Sequence, residues 1–195
     1  SVQQALNQVA SGQSQLLVDQ QMIQAGTLAQ QEQWQGALAI YQRLLLTDNS
    51  LTEAKVRKVS VSVRASLDRQ IIALLDDPLS LAESRAFYKG QKLLADAKGF
   101  ANPGPRLSRQ IDQLDKALQA SQIPVAVIIQ SDNLTQISVY KVANLGTLQQ
   151  TSISLKPGLY IAARQRAGYR DSRVEFEVSD QSPTGPIVVI CSEKI

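Results

Sequence analysis

The sequence predicts an α+β protein with two segregated domains: an N-terminal array of helical hairpins at residues 1–121 and a small antiparallel β-sandwich at residues 122–195. Apolar residues before Ser121 recur at the three- and four-residue spacings of helices. Those after Ile123 alternate with polar residues, as they do in half-buried strands. Turn sequences such as KPG and SPTGP separate the alternating segments, and 195 residues suffice for two small cores.

The first segment has a weak heptad pattern. Its apolar positions, with intervals of three, four and seven residues, are Val2, Leu6, Val9, Leu16 and Ile23. Gln13 and Gln20 fill the missing places in the seam. The segment therefore forms either the opening helix of the helical domain or a coiled-coil stalk through which the chain would self-associate.

The next pattern predicts a helix, a short turn near Gln33 and a second helix. The residues that define it are Ala25, Leu28, Trp34, Ala37, Tyr41, Leu44 and Asn49. Small Ala37 lets the two helices approach closely, while Trp34 and Tyr41 fill the groove between them. Both aromatic residues are candidates for partner binding, with a place in the core as the alternative.

This arrangement of small, apolar and aromatic residues resembles a tetratricopeptide repeat. Ala25 stands where these repeats usually have Gly, and Asn49 where they have Pro. The resemblance covers about one repeat. It implies a helical hairpin, and arrays of such hairpins bind extended peptides in their grooves.

Three further helices complete the predicted N-terminal domain. Thr52 caps one that ends at Asp76, with a strand as the alternative for its β-branched centre. Its predicted apolar face is Val56, Val59, Val63, Leu67, Ile71 and Leu74. Residues 80–98 form the next helix, and Pro105 lies in the first turn of the last helix, which ends at Ala120.

The C-terminal part predicts short strands joined by turns. Its apolar alternation involves Val125, Val127 and Ile129; Ile137 and Val139; Ile153 and Leu155; Tyr160 and Ala162; Val174, Phe176 and Val178; and the run Ile187–Ile190. Gly158 and Gly168 supply turn conformations, and Tyr169 covers a sheet edge after the second bend.

The order of Pro157, Gly158 and Tyr160, followed by Gly168 and Tyr169, resembles the PEGA-type β-domain of bacterial envelope and surface proteins. The match spans Val125–Val178, although the PEGA tetrapeptide itself is missing. This resemblance implies a small β-sandwich in an extracytoplasmic setting.

Four arginines form the one basic concentration of the β-domain. They are Arg164, Arg166, Arg170 and Arg173. They predict a binding face for an acidic partner or an anionic polymer. The alternative is a solvated strand face that Asp171, Glu175 and Glu177 neutralise.

The composition argues against catalysis and against nucleic-acid binding. Histidine is absent, and the single cysteine, Cys191, is expected to be a buried thiol with no base to activate it. The net charge is +3, and neither half of the chain has a clustered basic face. Asp76 and Asp77 end a helix, and Ser131-Asp132-Asn133 forms a turn, so neither group predicts a metal site.

We therefore expect a non-enzymatic interaction or structural module of the bacterial cell envelope, without a cofactor and without nucleic acid as a partner. It would bind another protein, and sequence upstream of Ser1 would anchor it to the membrane from the periplasmic side. The alternatives are an extracytoplasmic sensory or regulatory domain of a larger signalling protein, and a cytoplasmic adaptor that resembles tetratricopeptide repeats. An upstream transmembrane segment would favour the first two.

Overall fold

The computed structural model describes residues 2–180, 183 and 185–195. Its helices are α1 (Val2–Gln30), α2 (Trp34–Thr47), α3 (Thr52–Leu75), a 3₁₀ helix (Pro78–Ala82), α4 (Ser84–Lys98) and α5 (Gly104–Ala120). Its strands are β1 (Val125–Gln130), β2 (Gln136–Val139), β3 (Ala143–Thr147), β4 (Gln150–Leu155), β5 (Gly158–Gln165), β6 (Ser172–Val178) and β7 (Ile187–Val188). The predicted α+β layout, with helices before strands, is confirmed.

Helices α1 and α2 form a hairpin whose turn lies where the sequence predicted it. The backbone N–H of Gln33 donates to the Leu28 carbonyl at 2.8 Å, and Glu32 has a φ of 57°. Ala25 and Ala37 are fully buried where the helices pack. Small side chains at both positions allow this close approach.

The N-terminal part of α1 exposes the apolar seam that the heptad pattern defined. Val2, Val9, Leu16 and Ile23 are all largely exposed, while the side chain of Leu6 lies outside the described residues. The two segments predicted before and after Ile23 are parts of one continuous helix. A coiled coil through this seam stays a prediction.

Helix α3 has the predicted extent, and no part of it is a strand, but its buried face differs from the prediction in its first half. Val56, Val59 and Val63 are more than half exposed. The buried apolar positions are Ala54, Val61 and Ala65 in the first half and, as predicted, Leu67, Ile71 and Leu74 in the second. Small side chains at Ala54 and Ala65 permit a close approach of neighbouring helices.

The helix predicted at residues 80–98 is two elements in the structure. A 3₁₀ helix begins at Pro78, and Glu83 then adopts an extended backbone before α4 begins. Proline at the first position favours the short helix because it needs no N–H there. Pro105 lies in the first turn of α5, as predicted.

The strands form two sheets, one with the order β4-β1-β7 and the other with the order β3-β2-β5-β6. All pairs are antiparallel except β1 with β7. A single hydrophobic cluster draws residues from both sheets: Val127, Ile129, Ile137, Val139, Leu155, Ala162, Phe176, Val178 and Val189. The two sheets therefore bury their inner faces in one core.

Strand β3 was not predicted, because its Asn144-Leu145-Gly146 sequence indicated a turn. The turn chemistry is present inside the strand: Gly146 has a φ of 69°, and its N–H donates to Asn144 Oδ1 at 3.1 Å. The register with β2 shifts between Ile137 and Ser138. A bulge accommodates this local turn without ending the pairing.

The two glycines predicted in turns differ in conformation. Gly168 has a φ of 80° in the β5–β6 connection, where left-handed backbone favours glycine. Gly158 is already the first residue of β5, with a φ of 159°, close to extended backbone. Tyr169 forms an isolated antiparallel bridge with Lys194. The turn position predicted for Gly168 is therefore confirmed, whereas Gly158 has a positive φ but lies at the start of a strand and not in a turn.

The chain divides into two compact units that do not follow the helix-to-strand transition. The first unit comprises the residues up to Ala73 together with Ala95–Ile111; the second comprises Leu74–Leu94 and Asp112–Ile195. Both sheets and the 3₁₀ helix belong to the second unit. Within the described residues, no helix combines the length and the apolar character needed to cross a membrane.

Candidate functional site

The first unit holds an arginine between two aromatic rings. The Arg64 guanidinium carbon lies 4.7 Å from the ring centroid of Trp34 and 4.7 Å from that of Phe100. Trp34 is the first residue of α2, Arg64 projects from α3, and Phe100 follows α4. A guanidinium stacked on aromatic faces in this way gains cation–π attraction and is held in one orientation.

The hydrogen bonds of Arg64 leave one of its nitrogens unused. Nη2 donates to the Pro103 carbonyl and, at 3.4 Å, to Glu32 Oε1. Nη1 is buried and has no hydrogen-bond partner among the described residues. Burial lowers the pKa of Arg64, while the charges of Glu32 and Asp68 act in the opposite direction. The group is a largely buried cation whose Nη1 has spare donor capacity.

Two buried carboxylates organise the groups behind Arg64. Glu32 accepts hydrogen bonds from the backbone N–H groups of Arg106 at 2.7 Å and Leu107 at 3.4 Å. Asp68 accepts both Nε and Nη2 of Arg106, at 2.7 and 3.0 Å, and Nε2 of Gln110 at 2.8 Å. Glu32 thus caps the start of α5, and Asp68 holds α5 against α3.

In front of these groups lies an open cleft of about 600 Å³, which we call the arginine–aromatic cleft. Its walls include Trp34, Tyr41, Arg57, Arg64, Phe100 and Asn102. None of the described residues that line it is acidic. The cleft therefore combines apolar and aromatic walls with two cations and amide groups, a composition that suits an anionic or amphipathic ligand.

Arg57 is the accessible cation of this cleft. Its side chain is about half exposed, and Nη2 lies 2.7 Å from Oε1 of Glu53, one turn earlier on α3. The pKa of Arg57 is raised, mainly by its hydrogen bond to Glu53 and to a smaller extent by one to Tyr41. Exposed ion pairs within a helix are weak, so Arg57 can exchange Glu53 for a ligand at little cost.

Trp34 and Tyr41, which the sequence singled out, both line this cleft. Trp34 is half-buried, whereas Tyr41 is almost fully buried and also belongs to the hydrophobic core that α1, α2 and α3 form. Arg57, Arg64 and Phe100 were not predicted. The signal for Arg64 was its spacing of three, four and seven residues from Val61, Asp68 and Ile71, of which only Ile71 belongs to the predicted apolar face of α3.

The arginines of the second unit do not form one basic face. Arg164 is half-buried on β5 and donates to Ser172 Oγ and to the Ile190 carbonyl. Arg173 lies opposite Ala163 in the β5–β6 register, one residue out of phase with Arg164 and Ser172. Since neighbouring residues of a strand point to opposite faces, Arg164 and Arg173 lie on different sides of the sheet.

The other two arginines flank the β5–β6 connection. Arg166 pairs with Asp132 at 2.9 Å and lies 4.4 Å from the centroid of the Tyr169 ring. Arg170 is exposed and pairs with Glu193 at 3.3 Å. Arg164, Arg166 and Arg170 therefore each have a partner within the chain, and partner binding by the four arginines stays a prediction.

Asp132 organises the loop between β1 and β2, where the sequence predicted turn chemistry. Its Oδ1 accepts the backbone N–H groups of Leu134 at 3.0 Å and Thr135 at 2.8 Å, and Asn133 has a φ of 59°. Burial opposes ionisation of the carboxyl, but these hydrogen bonds and Arg166 lower the pKa of Asp132 to about 2.

The remaining candidate groups are the single cysteine and the adjacent carboxylates Asp76 and Asp77, which lie in the core and in a connection between helices. Cys191 is buried, as expected, and its backbone N–H donates to Thr135 Oγ1 at 3.2 Å. Asp76 and Asp77 lie between α3 and the 3₁₀ helix. Across the described part of the chain, no group of three or more His, Cys, Asp or Glu side chains is placed to hold a metal ion.

Comparison with known proteins leaves these local features as the basis for inference. No protein-family model matches the chain, and a search of curated proteins finds no match.

Proposed function

We propose that this protein is a non-enzymatic interaction module that docks an extended segment of a partner protein in the arginine–aromatic cleft. The observation that carries the proposal is the pairing of an accessible cation, Arg57, with the stacked cation Arg64 in a cleft lined by aromatic residues and free of acidic ones among the described residues. Aromatic side chains and arginine are the residue types enriched at the centres of protein interfaces.

The chemistry of the walls favours a segment that carries a carboxylate. Arg57 can offer a guanidinium to a carboxylate in place of Glu53, and Asn102 can donate from its amide. Val61 and Val63 add apolar wall between the charged groups. A segment in which acidic and apolar residues alternate would satisfy both kinds of wall.

The proposed architecture and setting follow the two resemblances. The α1–α2 hairpin, with Ala25 and Ala37 at its contact and a three-residue turn, supports a helical region like a tetratricopeptide repeat. Two sheets that share one hydrophobic cluster support a β-sandwich like that of PEGA-type domains. The setting that we propose is the bacterial cell envelope, on the periplasmic side, with membrane attachment through other sequence.

A titration followed by two-dimensional ¹⁵N NMR tests the cleft. The probes are the peptides Ac-GELEVG-NH₂ and Ac-GQLQVG-NH₂, which differ only in charge. We expect the acidic peptide to shift the Trp34 indole N–H resonance and to bind about five to tenfold more tightly than the neutral one. This ratio corresponds to a difference of about 1–1.4 kcal/mol in binding free energy.

Arg57→Gln should abolish that preference, because it removes the accessible guanidinium and leaves the buried network behind Arg64 intact. Arg43→Gln, an exposed arginine of α2 outside the cleft, is the matched control and should retain the preference. Equal binding of both peptides by the parent, or an unchanged preference in Arg57→Gln, would refute a carboxylate site here.

A further inference from the structure

Strand β4 presents an unpaired edge in the second unit. It pairs with β1 on one side only. The N–H of Ser131 donates to the Gln149 carbonyl at 2.9 Å, so the pair 131 and 149 is hydrogen-bonded, and the bonding alternates along the ladder from there. The backbone N–H and C=O groups of Gln150, Ser152 and Ser154 therefore point away from β1.

Those three residues are exposed, and their backbone groups have no partner in the described part of the chain. Their side chains lie on the outer face of the sheet, while Leu155 is buried in the core and Ile153 packs against it. The edge of β4 therefore presents backbone N–H and C=O groups that can pair with another strand, and the outward side chains beside them are polar and uncharged.

The other edge strands have features that discourage pairing. Strand β6 carries the exposed charges Arg173, Glu175 and Glu177, and β7 has two residues. Strand β3 contains Gly146 in a left-handed conformation next to a register shift. Charges, short length and bulges are the devices by which proteins block edge-to-edge association. Strand β4, with the sequence QTSISL, has none of them.

We propose that β4 pairs antiparallel with β4 of a second copy of this chain, about a twofold axis at Ser152. Ser152 then lies opposite Ser152 of the second copy, and Gln150 lies opposite Ser154. Two three-stranded sheets become one six-stranded sheet, with the strand order β7-β1-β4-β4-β1-β7. Three hydrogen-bonded pairs would form about six new backbone hydrogen bonds.

The register favours a second copy over an unrelated strand. In this register, even-numbered residues lie opposite even-numbered ones, and odd opposite odd. Thr151 and Ile153 therefore lie on the core side of the sheet in both copies, as sheet continuity requires. Every pair in the contact is uncharged. Lys156 lies beyond the strand, and the two copies of Lys156 are about 27 Å apart at about 3.4 Å per residue, so they do not repel each other.

The contact is small, which places it among weak, transient interfaces below about 1,200 Å². We therefore expect the full chain to be a monomer at about 10 μM and to form dimers at about 0.1–0.5 mM. Sedimentation velocity over this range measures the association. A chain that stays monomeric throughout would overturn the proposal.

Charge variants at the twofold axis identify the surface. Ser152→Lys and Ser152→Glu each place like charges directly opposite one another, which is destabilising across an antiparallel pair, so each should raise the dimer dissociation constant more than tenfold. An equimolar mixture of the two should restore dimers. Ser11→Lys, an exposed serine of α1, is the matched control and should dimerise like the parent.

A proline variant separates association from folding. Ser152→Pro removes only an N–H that points outward, which edge strands tolerate, so the melting of the variant should stay close to that of the parent while dimers are lost. Dimers that persist in the charge variants would belong to another surface, such as the seam of α1, and would refute pairing through β4. Failure of the mixture to restore dimers would refute the twofold register.

Discussion

Replacing Gly104 with alanine tests how the first unit is held together. Gly104 begins α5 with a φ of 79°. A Cβ there would lie 2.5 Å from Glu32 Oε1 and 2.7 Å from Glu32 Cδ. The same carboxylate accepts the backbone N–H of Arg106 at 2.7 Å. Since the Cβ and the carboxylate cannot share this space, Glu32 must move away from the start of α5.

The expected cost has two parts. A left-handed conformation costs a residue with a Cβ about 1–2 kcal/mol relative to glycine. Loss of the capping carboxylate costs about 1 kcal/mol, within a range of about 0.5–2. We therefore expect Gly104→Ala to lower the free energy of unfolding by about 1.5–4 kcal/mol. At about 2–4 °C per kcal/mol for a chain of this size, the melting temperature falls by about 3–16 °C.

A double-mutant cycle with Glu32→Ala separates the two parts. Without the carboxylate, Gly104→Ala should cost only the backbone term, so urea unfolding of the four proteins should give a coupling free energy of about 1 kcal/mol or more. Gly12→Ala is the matched control, because Gly12 lies inside α1 with nothing within 4 Å of the new Cβ, and it should stabilise the protein by about 0.5–1 kcal/mol. A Gly104→Ala cost that is the same with and without Glu32 would contradict the capping role.

Three further tests, with four substitutions, address other parts of the structure. Asp132→Asn should destabilise the protein at neutral pH. Because the folded pKa of Asp132 is about 2, the stabilising effect of its carboxylate should be complete above about pH 4 and should disappear as the pH falls towards 2. Urea unfolding of the parent and the variant from about pH 2 to 7 measures this difference. Thr135→Val should cost about 1–3 kcal/mol by thermal unfolding, since it leaves the buried N–H of Cys191 without an acceptor; a cost below 0.5 kcal/mol, within the range of ordinary surface changes, would argue against this bond. Ile71→Ala should cost about 2–5 kcal/mol, whereas Val59→Ala should stay within about 0.5 kcal/mol, and the reverse order would show that the buried face of α3 is assigned wrongly.

The sequence predicts those parts of the fold that local chemistry decides. The three residues between α1 and α2, the start of α3 at Thr52 and its end before Pro78 all follow from turn and capping preferences. The buried face of the first half of α3 does not, although Leu67, Ile71 and Leu74 in the second half are buried as predicted. Two apolar stripes compete on this helix, and hydrophobicity alone favours the valines over Ala54 and Ala65. Which stripe is buried depends on the distance to neighbouring helices, which the sequence does not state.

The cleft was predictable only in part for a related reason. Trp34 and Tyr41 lie two helical turns apart on α2, so the sequence alone predicts that they share a face of the helix. Arg64 and Phe100 come from distant segments, and their stacking depends on where the chain returns after α4. In β3, Asn144 and Gly146 have the predicted turn chemistry, but pairing with β2 makes the segment a strand, so the turn prediction is wrong there.

The division of the first unit also bears on how the protein is made. Asp68 and Glu32 find their partners at Arg106 and Leu107, which belong to the returning segment Ala95–Ile111. During synthesis, the first 73 residues leave the ribosome before the partners of Asp68 and the α5 partners of Glu32 exist, and only Arg64 is already present to pair with Glu32. The first unit can therefore close only after about 40 more residues have followed. At synthesis rates of about 5–20 residues per second, this is a delay of about 2–8 s.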